Sequence, residues 1–242
     1  MARSALAAAA VLLIVAPGLA SCSESPPRSA PTTESPTESP SSPPSSPTPE
    51  SVEPQAPSVT MSDGQPRRAR LSIPALGLRD LAVVPYRGKT DDAPGTRIQD
   101  GGVAASPYGR RGGVGPGGLG NYQVTAHRTS STAAFRNLPS LRIGQLASVT
   151  ARDVRYVYEI RRTRRTSFRS PRSLAEQRAA VPGRPGTEPR RAFLTLSTCL
   201  TQEDHAQGNF WADEFNNPEH RVDKIGVLVR TVEPPQGSGR GR

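Results

Sequence analysis

Cys22 and Cys199 are the only thiols in the 242-residue chain, too few for a disulfide framework. Lysine is equally scarce: Lys89 and Lys224 stand alone, so arginine carries nearly all of a formal net charge of +10. Arginine replacing lysine throughout is a weak argument for nucleic acid, and the export signal described below argues against such a partner. Histidine occurs three times, and no two of the histidines, Cys199 and Asp204 share a zinc-type spacing on one element, so neither metal nor cofactor is expected. No apolar run reaches the roughly 20 residues that span a bilayer. Large apolar side chains are sparse from Ser23 to about Pro66, where Ser, Pro, Thr and Glu dominate. Such a segment cannot offset the entropy of ordering it. In polyproline conformation its roughly 44 residues reach on the order of 130 Å. About 165 residues remain for one domain with a single core.

The longest apolar run, Ala5 to Val15, follows Arg3 and precedes Leu19-Ala20-Ser21-Cys22, a lipoprotein-type processing box. Residues 1–21 therefore read as a signal peptide, with cleavage before Cys22. Acylation of Cys22 would anchor the chain to the outer face of the cell membrane, two acyl chains holding far more firmly than one. Ordinary cleavage after Ala20, which releases the chain, is the first alternative, and an uncleaved leader serving as anchor is the second. With Cys22 acylated, Cys199 is a lone thiol in an oxidising compartment, which suggests chemistry rather than pairing. A buried, inert strand-end cysteine is the competing reading.

Three short β-type runs end on reactive groups. Ala192 to Thr198 leads to Cys199, Asn121 to Ala126 leads to His127, and Arg221 precedes the run Ile225 to Val232. A cysteine, a histidine and an arginine at the ends of separate strands suit covalent catalysis. Further strands are expected at Ala69–Ile73, Leu81–Val84, Ala147–Thr150 and Val154–Arg162, broken by frequent Gly and Pro, which points to an all-β barrel. Short helices are expected at Ala133–Leu138 and over Leu174–Ala179, with Ser173 as cap and Glu176 as its capping-box partner. The glycine-rich run 112–120 has no helix behind it and reads as a turn feeding the histidine strand. Arg161, Arg162, Arg164, Arg165, Arg169 and Arg172 read as a solvated basic face.

The motifs H-R-T (His127 to Thr129) and T-L-S-T-C (Thr195 to Cys199), in this chain order, resemble those of the sortase transpeptidases, most closely the actinobacterial class E type. Leu71 to Leu78 resembles the first strand of that family and the turn after it. The resemblance spans roughly Arg67 to Val232. It implies a closed β-barrel of about eight strands with short helices in connecting loops, over a catalytic domain at residues 67–233 followed by a flexible tail at 234–242. It also implies Cys199 as nucleophile, His127 as acid and base, and Arg221 as the cation at the scissile carbonyl. The substrate would be a C-terminal sorting signal of the Leu-Pro-x-Thr-Gly or Leu-Ala-x-Thr-Gly type, cut between Thr and Gly. An amine on a cell-wall precursor or pilin would accept the acyl group.

This chain departs from the family pattern in two places. Ala126 stands where many relatives carry glycine, and roughly twenty residues separate Cys199 from Arg221. The segment Thr201 to His220, with Phe210, Trp211 and Phe215, either covers the site or forms a satellite core. Lys224 lies nearer the apolar strand core than Arg221. His205 and His220 flank the insertion but fall outside the histidine motif. A thiolate and an imidazolium are needed together, and ordinary pKa values of about 8.5 and 6.5 give that pair a population on the order of one per cent at pH 7. Papain-like chains place cysteine before histidine, the reverse of the order here. The S-x-G-C-R signature of cell-wall L,D-transpeptidases is absent, since Leu200 follows Cys199. A non-catalytic lipoprotein binding wall peptide or a protein partner is the rival from another class.

Overall fold

A computed structural model describes residues 59–234. The expected signal peptide, Cys22, most of the tether and nearly all of the C-terminal tail lie outside the described residues. The elements are β1 (Ala69–Ile73), β2 (Leu78–Arg87), α1 (Ala93–Asp100), β3 (Ala104–Tyr108), β4 (Gly120–Thr125), β5 (Leu146–Ala151), β6 (Val154–Ser167), α2 (Pro171–Arg178), β7 (Ala192–Cys199), α3 (Thr201–Ala206) and β8 (His220–Val232). They close into an eight-strand barrel in the order β1-β2-β3-β4-β7-β8-β6-β5. The pairs β2/β3 and β4/β7 are parallel, and the others are antiparallel.

Period-two patterning explains the barrel. In β5, Ala147, Val149 and Ala151 face inward while Leu146, Ser148 and Thr150 alternate outward. Leu71, Ile73, Val124, Ile160, Leu194 and Leu196 are fully buried in one core. Each such side chain contributes about 1.5–3 kcal/mol by leaving water. The β5–β6 hairpin turns on Arg152 and Asp153, both at positive φ, as a two-residue primed turn requires. Tyr158 is buried within the barrel, and its hydroxyl accepts the N–H of Gly117 at 2.8 Å. β4 and β7 are buried on both faces, because their polar outer face is covered in part by α2 and in part by the loop at Gly113. There Asn121 Nδ2 donates to the carbonyls of Gln177 and Ala179, each at 3.0 Å.

Several elements differ from the sequence expectation. β3 and α1 were not foreseen, and β2, β6 and β8 are longer than their apolar runs. No α-helix forms over Ala133–Leu138: Ala133 is left-handed at φ 50, and only a 3-10 turn follows at Leu138–Ser140. Ser170, not Ser173, caps α2, accepting the N–H of Ser173 at 3.2 Å with Pro171 in the first turn. Glu176 pairs instead with Arg164 and Arg172. Residues ahead of Arg67 also bond to the barrel: Thr231 Oγ1 donates to the Thr60 carbonyl at 2.7 Å and Ser62 Oγ to that of Pro116 at 2.6 Å.

Candidate active site

Strand register brings the thiol and the guanidinium together. β7 and β8 pair antiparallel with Cys199 opposite Arg221, and Arg221 Nη1 donates to Cys199 Sγ at 3.0 Å. Arg221 is fully buried, with its guanidinium carbon 4.3 Å from the centroid of the Phe168 ring. Its Nε lies 3.0 Å from Asp91 Oδ2, an ion pair between two buried side chains. That contact is close but not aligned as a hydrogen bond, and Nη2 has no partner among the described residues. Arg221 therefore keeps a buried donor near the thiol whose hydrogen-bonding capacity is unused among the described residues.

His127 follows β4, the strand parallel to β7, and the two strand ends are tied together. Thr198 Oγ1 donates to the Ala126 carbonyl at 2.7 Å. Ala126 is absent from the positive-φ positions, so alanine in place of glycine costs the backbone nothing here. His127 Nε2 lies 2.9 Å from Asp100 Oδ1 at the end of α1, which leaves Nδ1 as the unengaged ring nitrogen. His127 and Cys199 line one cleft of about 360 Å³ together with Asp100, Thr129 and Phe215. Arg221 sits behind the thiol, outside the lining of this cleft. No hydrogen bond joins His127 to Cys199 among the described residues, a common state for catalytic pairs without substrate.

The electrostatics follow from burial. Loss of water pushes the Cys199 thiol up; the charge of Arg221 pulls it back only in part, and Asp91 adds to the rise. Burial works against the Arg221 charge as well, but Asp91 and the thiolate overcome it and hold the guanidinium above its ordinary value. Two residues along on the same strand faces, Asp223 accepts from Ser197 Oγ at 2.7 Å, Gln177 Nε2 at 2.8 Å and Thr166 Oγ1 at 2.5 Å. Its carboxyl is nevertheless raised, because desolvation outweighs these three donors. This network fastens α2 beneath the thiol–guanidinium pair.

The segment after Cys199 is partly a wall. Arg128 of the H-R-T motif pairs with Glu203 and donates to the Cys199 carbonyl at 3.3 Å, fixing α3 against the histidine strand. Asp213 Oδ1 accepts the N–H groups of Phe215 and Asn217 at 2.9 and 2.8 Å, and this turn carries Phe215 into the cleft. Trp211 packs 5.9 Å from the Arg169 guanidinium carbon and Phe210 is exposed, so these aromatics do not form a satellite core. His220 Nδ1 lies 2.8 Å from Asp204 Oδ1 and His205 packs on Phe210; neither lines the cleft. Lys224 donates to the Pro139 carbonyl at 2.9 Å and to Thr163 Oγ1, which removes it as a rival to Arg221. Among the described residues no cluster of His, Cys, Asp or Glu could hold a metal ion. Asp91, Asp100 and Arg128 are the site residues that sequence reasoning missed. Only Arg128 had a signal, its place within H-R-T.

The family model for the Sortase domain matches residues 71–212. The fold is similar to that of the SrtA sortase from Actinomyces oris, at 18% identity and a TM-score of 0.53, over 78% of this chain and 96% of that one. Sortase E from Streptomyces avermitilis gives 22% identity and a TM-score of 0.51, over 74% and 97%. The SrtF sortase from Corynebacterium diphtheriae gives 17% and 0.50, over 79% and 97%. No curated protein sequence matches. At these identities the structural likeness speaks for the fold alone, whereas the family match covers more than half of the sequence. The chain belongs to the sortase family.

Proposed function

We propose that this sortase is a class E-like cysteine transpeptidase with Cys199, His127 and Arg221 as its catalytic residues. The observation that carries the reading is the Cys199–Arg221 pair in strand register at 3.0 Å, with the thiol lining a cleft that His127 also lines. Cys199 thiolate attacks the carbonyl carbon of the Thr–Gly bond in a C-terminal sorting signal of the Leu-Pro-x-Thr-Gly or Leu-Ala-x-Thr-Gly type. Arg221 steadies the sulfur through Nη1, and its free Nη2 is the donor left for the carbonyl oxygen as that oxygen gains charge. His127 gives its proton to the departing amine, leaving a thioester on Cys199. An amine of a cell-wall precursor or pilin then attacks the thioester, His127 takes up the amine proton, and the thiolate departs.

Class E membership rests on the T-L-S-T-C and H-R-T motifs with the likeness in fold to a class E structure. The processing box at Leu19 to Cys22 supports a lipid anchor at Cys22 on the outer face of the membrane, with the catalytic domain on a long tether. Cys199→Ala and His127→Ala should each abolish cleavage of a fluorogenic sorting-signal peptide, and mass spectrometry should find an acyl adduct on Cys199 of the parent protein. Turnover in either variant refutes the assignment. Absence of any adduct favours a non-catalytic binding protein.

A further inference from the structure

Asp100 has more to offer the candidate site than its contact with His127 uses. It is the only carboxylate lining the cleft that holds Cys199. Its Oδ1 lies 2.9 Å from His127 Nε2, whereas Oδ2 has no partner among the described residues and the side chain is 60% exposed. The neighbouring charges are already matched. Arg128, the one permanently cationic side chain in the lining, is met by both oxygens of Glu203, with Nη2 donating to Oε1 at 2.8 Å. Asp213 reaches the thiol only through its field, and its carboxylate accepts from the Phe215 and Asn217 N–H groups and, at 3.0 Å, from Asn217 Nδ2. Asp91 is paired with Arg221.

The loop that carries the histidine also holds this carboxylate in place. Ser131 Oγ donates to the Asp100 carbonyl and Thr132 Oγ1 to that of Gly102, each at 3.0 Å. Phe135 N–H closes the same loop on the His127 carbonyl at 3.0 Å. Asp100 is also the last residue of α1, where the helix dipole is negative, so its field adds to that of the carboxylate. While His127 is protonated, its charge offsets Asp100. Once the ring has given its proton to the leaving amine, the carboxylate has no free counter-charge in the cleft.

We propose that Asp100 docks the acceptor amine as an ammonium ion on the acyl-enzyme, through Oδ2, beside the ring that then takes its proton. The proposal rests on the transpeptidase reading and adds a binding residue for the second substrate. The acceptor class is a primary alkylamine of the lysine type, whose ordinary pKa of about 10.4 keeps it cationic at neutral pH. The docked ammonium loses one proton to solvent, and its nitrogen attacks the thioester carbon. As the C–N bond forms and the C–S bond breaks, the second proton passes to His127 Nδ1 and the sulfur leaves as thiolate. A nucleophile that arrives neutral is not held by the carboxylate in this way.

The test supplies the intact chain with a Leu-Ala-x-Thr-Gly peptide and measures transfer of the acyl group to Nα-acetyl-lysine amide, a cation, and to hydroxylamine, which is neutral at the same pH. Asp100→Asn is the test variant, because asparagine keeps an oxygen for the ring N–H and removes the charge. Asp153→Asn, in the exposed β5–β6 turn, is the control for net charge, and thermal melts confirm folding of both. In Asp100→Asn the acceptor KM for the lysine derivative should rise about two- to fivefold relative to that for hydroxylamine, the scale of an exposed ion pair. Any loss that comes from the ring alone falls on both acceptors and cancels in this ratio. Added salt should raise the same ratio in the parent protein. The docking role is overturned if the two KM values move together in Asp100→Asn, or if Asp153→Asn shifts their ratio as far. A parent protein that forms no acyl adduct on Cys199 overturns the transpeptidase reading itself, and the docking role with it.

Discussion

Replacing Asp91 with asparagine should expose how much of the fold depends on one buried ion pair. Asp91 and Arg221 have side-chain exposures of 2% each, so neither charge has water to fall back on. Asparagine tolerates the left-handed backbone at φ 58 and keeps an oxygen for Gln99 Nε2, so the change removes charge and little else. Breaking a buried pair from one side costs about 3–5 kcal/mol, because the surviving charge is stranded. In a domain of this size that corresponds to a fall in Tm of about 8–14 °C. Urea denaturation followed by circular dichroism measures it, and the double variant Asp91→Asn/Arg221→Met should fall well short of the summed single losses. The Cys199 thiol should also titrate lower, since Asp91 contributes to its rise, and iodoacetamide alkylation at fixed pH should speed up. A stability loss under about 1 kcal/mol, or strictly additive singles, would refute the reasoning.

The raised thiol implies that the alkaline limb of a kcat/KM profile lies above the ordinary thiol range, and that each unit of rise cuts the thiolate–imidazolium population tenfold; a limb at or below about 8.5 contradicts this. Asp223 has a raised folded-state value, so the stability it confers relative to Asp223→Asn is present at acid pH and is lost as pH climbs from the ordinary aspartate value through the higher folded one; paired urea melts between pH 3.5 and 7 read the slope. Asp100→Ala should lower kcat for sorting-peptide cleavage about tenfold or more with little change in Tm, because it frees the His127 ring without disturbing the core; an unchanged kcat removes Asp100 from the site. Metabolic labelling with a lipid precursor should mark the parent chain but not Cys22→Ser, and equal labelling of both disproves the anchor.

The closed barrel and the thiol, imidazole and guanidinium at its strand ends were legible because β-branched alternation marks half-buried strands and the motifs mark their ends. β3 was not, since Ala104-Ala105-Ser106-Pro107-Tyr108 has no β-branched residue and its mostly buried pattern shows no alternation. α1 was hidden by Pro94 and Gly95 with a single large apolar residue, Ile98, and with it went Asp91 and Asp100. Their partners at the site, Arg221 for Asp91 and His127 for Asp100, lie far along the chain, which no local pattern records. The cap at Ser170 was missed in favour of the spacing from Ser173 to Glu176, although Pro171 directly after it marks a helix start. The arginine run is the solvated face its sequence suggests, with Arg161, Arg165, Arg169 and Arg172 all exposed, but its pairing with Asp204 and Glu219 was hidden because those carboxylates are distant in sequence.

Because Cys199 meets Arg221 across a ladder, their separation is dictated by hydrogen-bond register and is independent of how much chain loops out between them. Sliding one strand by a single residue would bring Val222 opposite the sulfur and turn the guanidinium to the far side of the sheet. The stretch from Leu200 to Glu219 can therefore lengthen, shorten or acquire new aromatics without moving the reactive pair. Its excess length is a freedom the architecture grants, and the two irregularities between β6 and β8 lie at Val157/Tyr158 and Ile160/Arg162, well away from that rung.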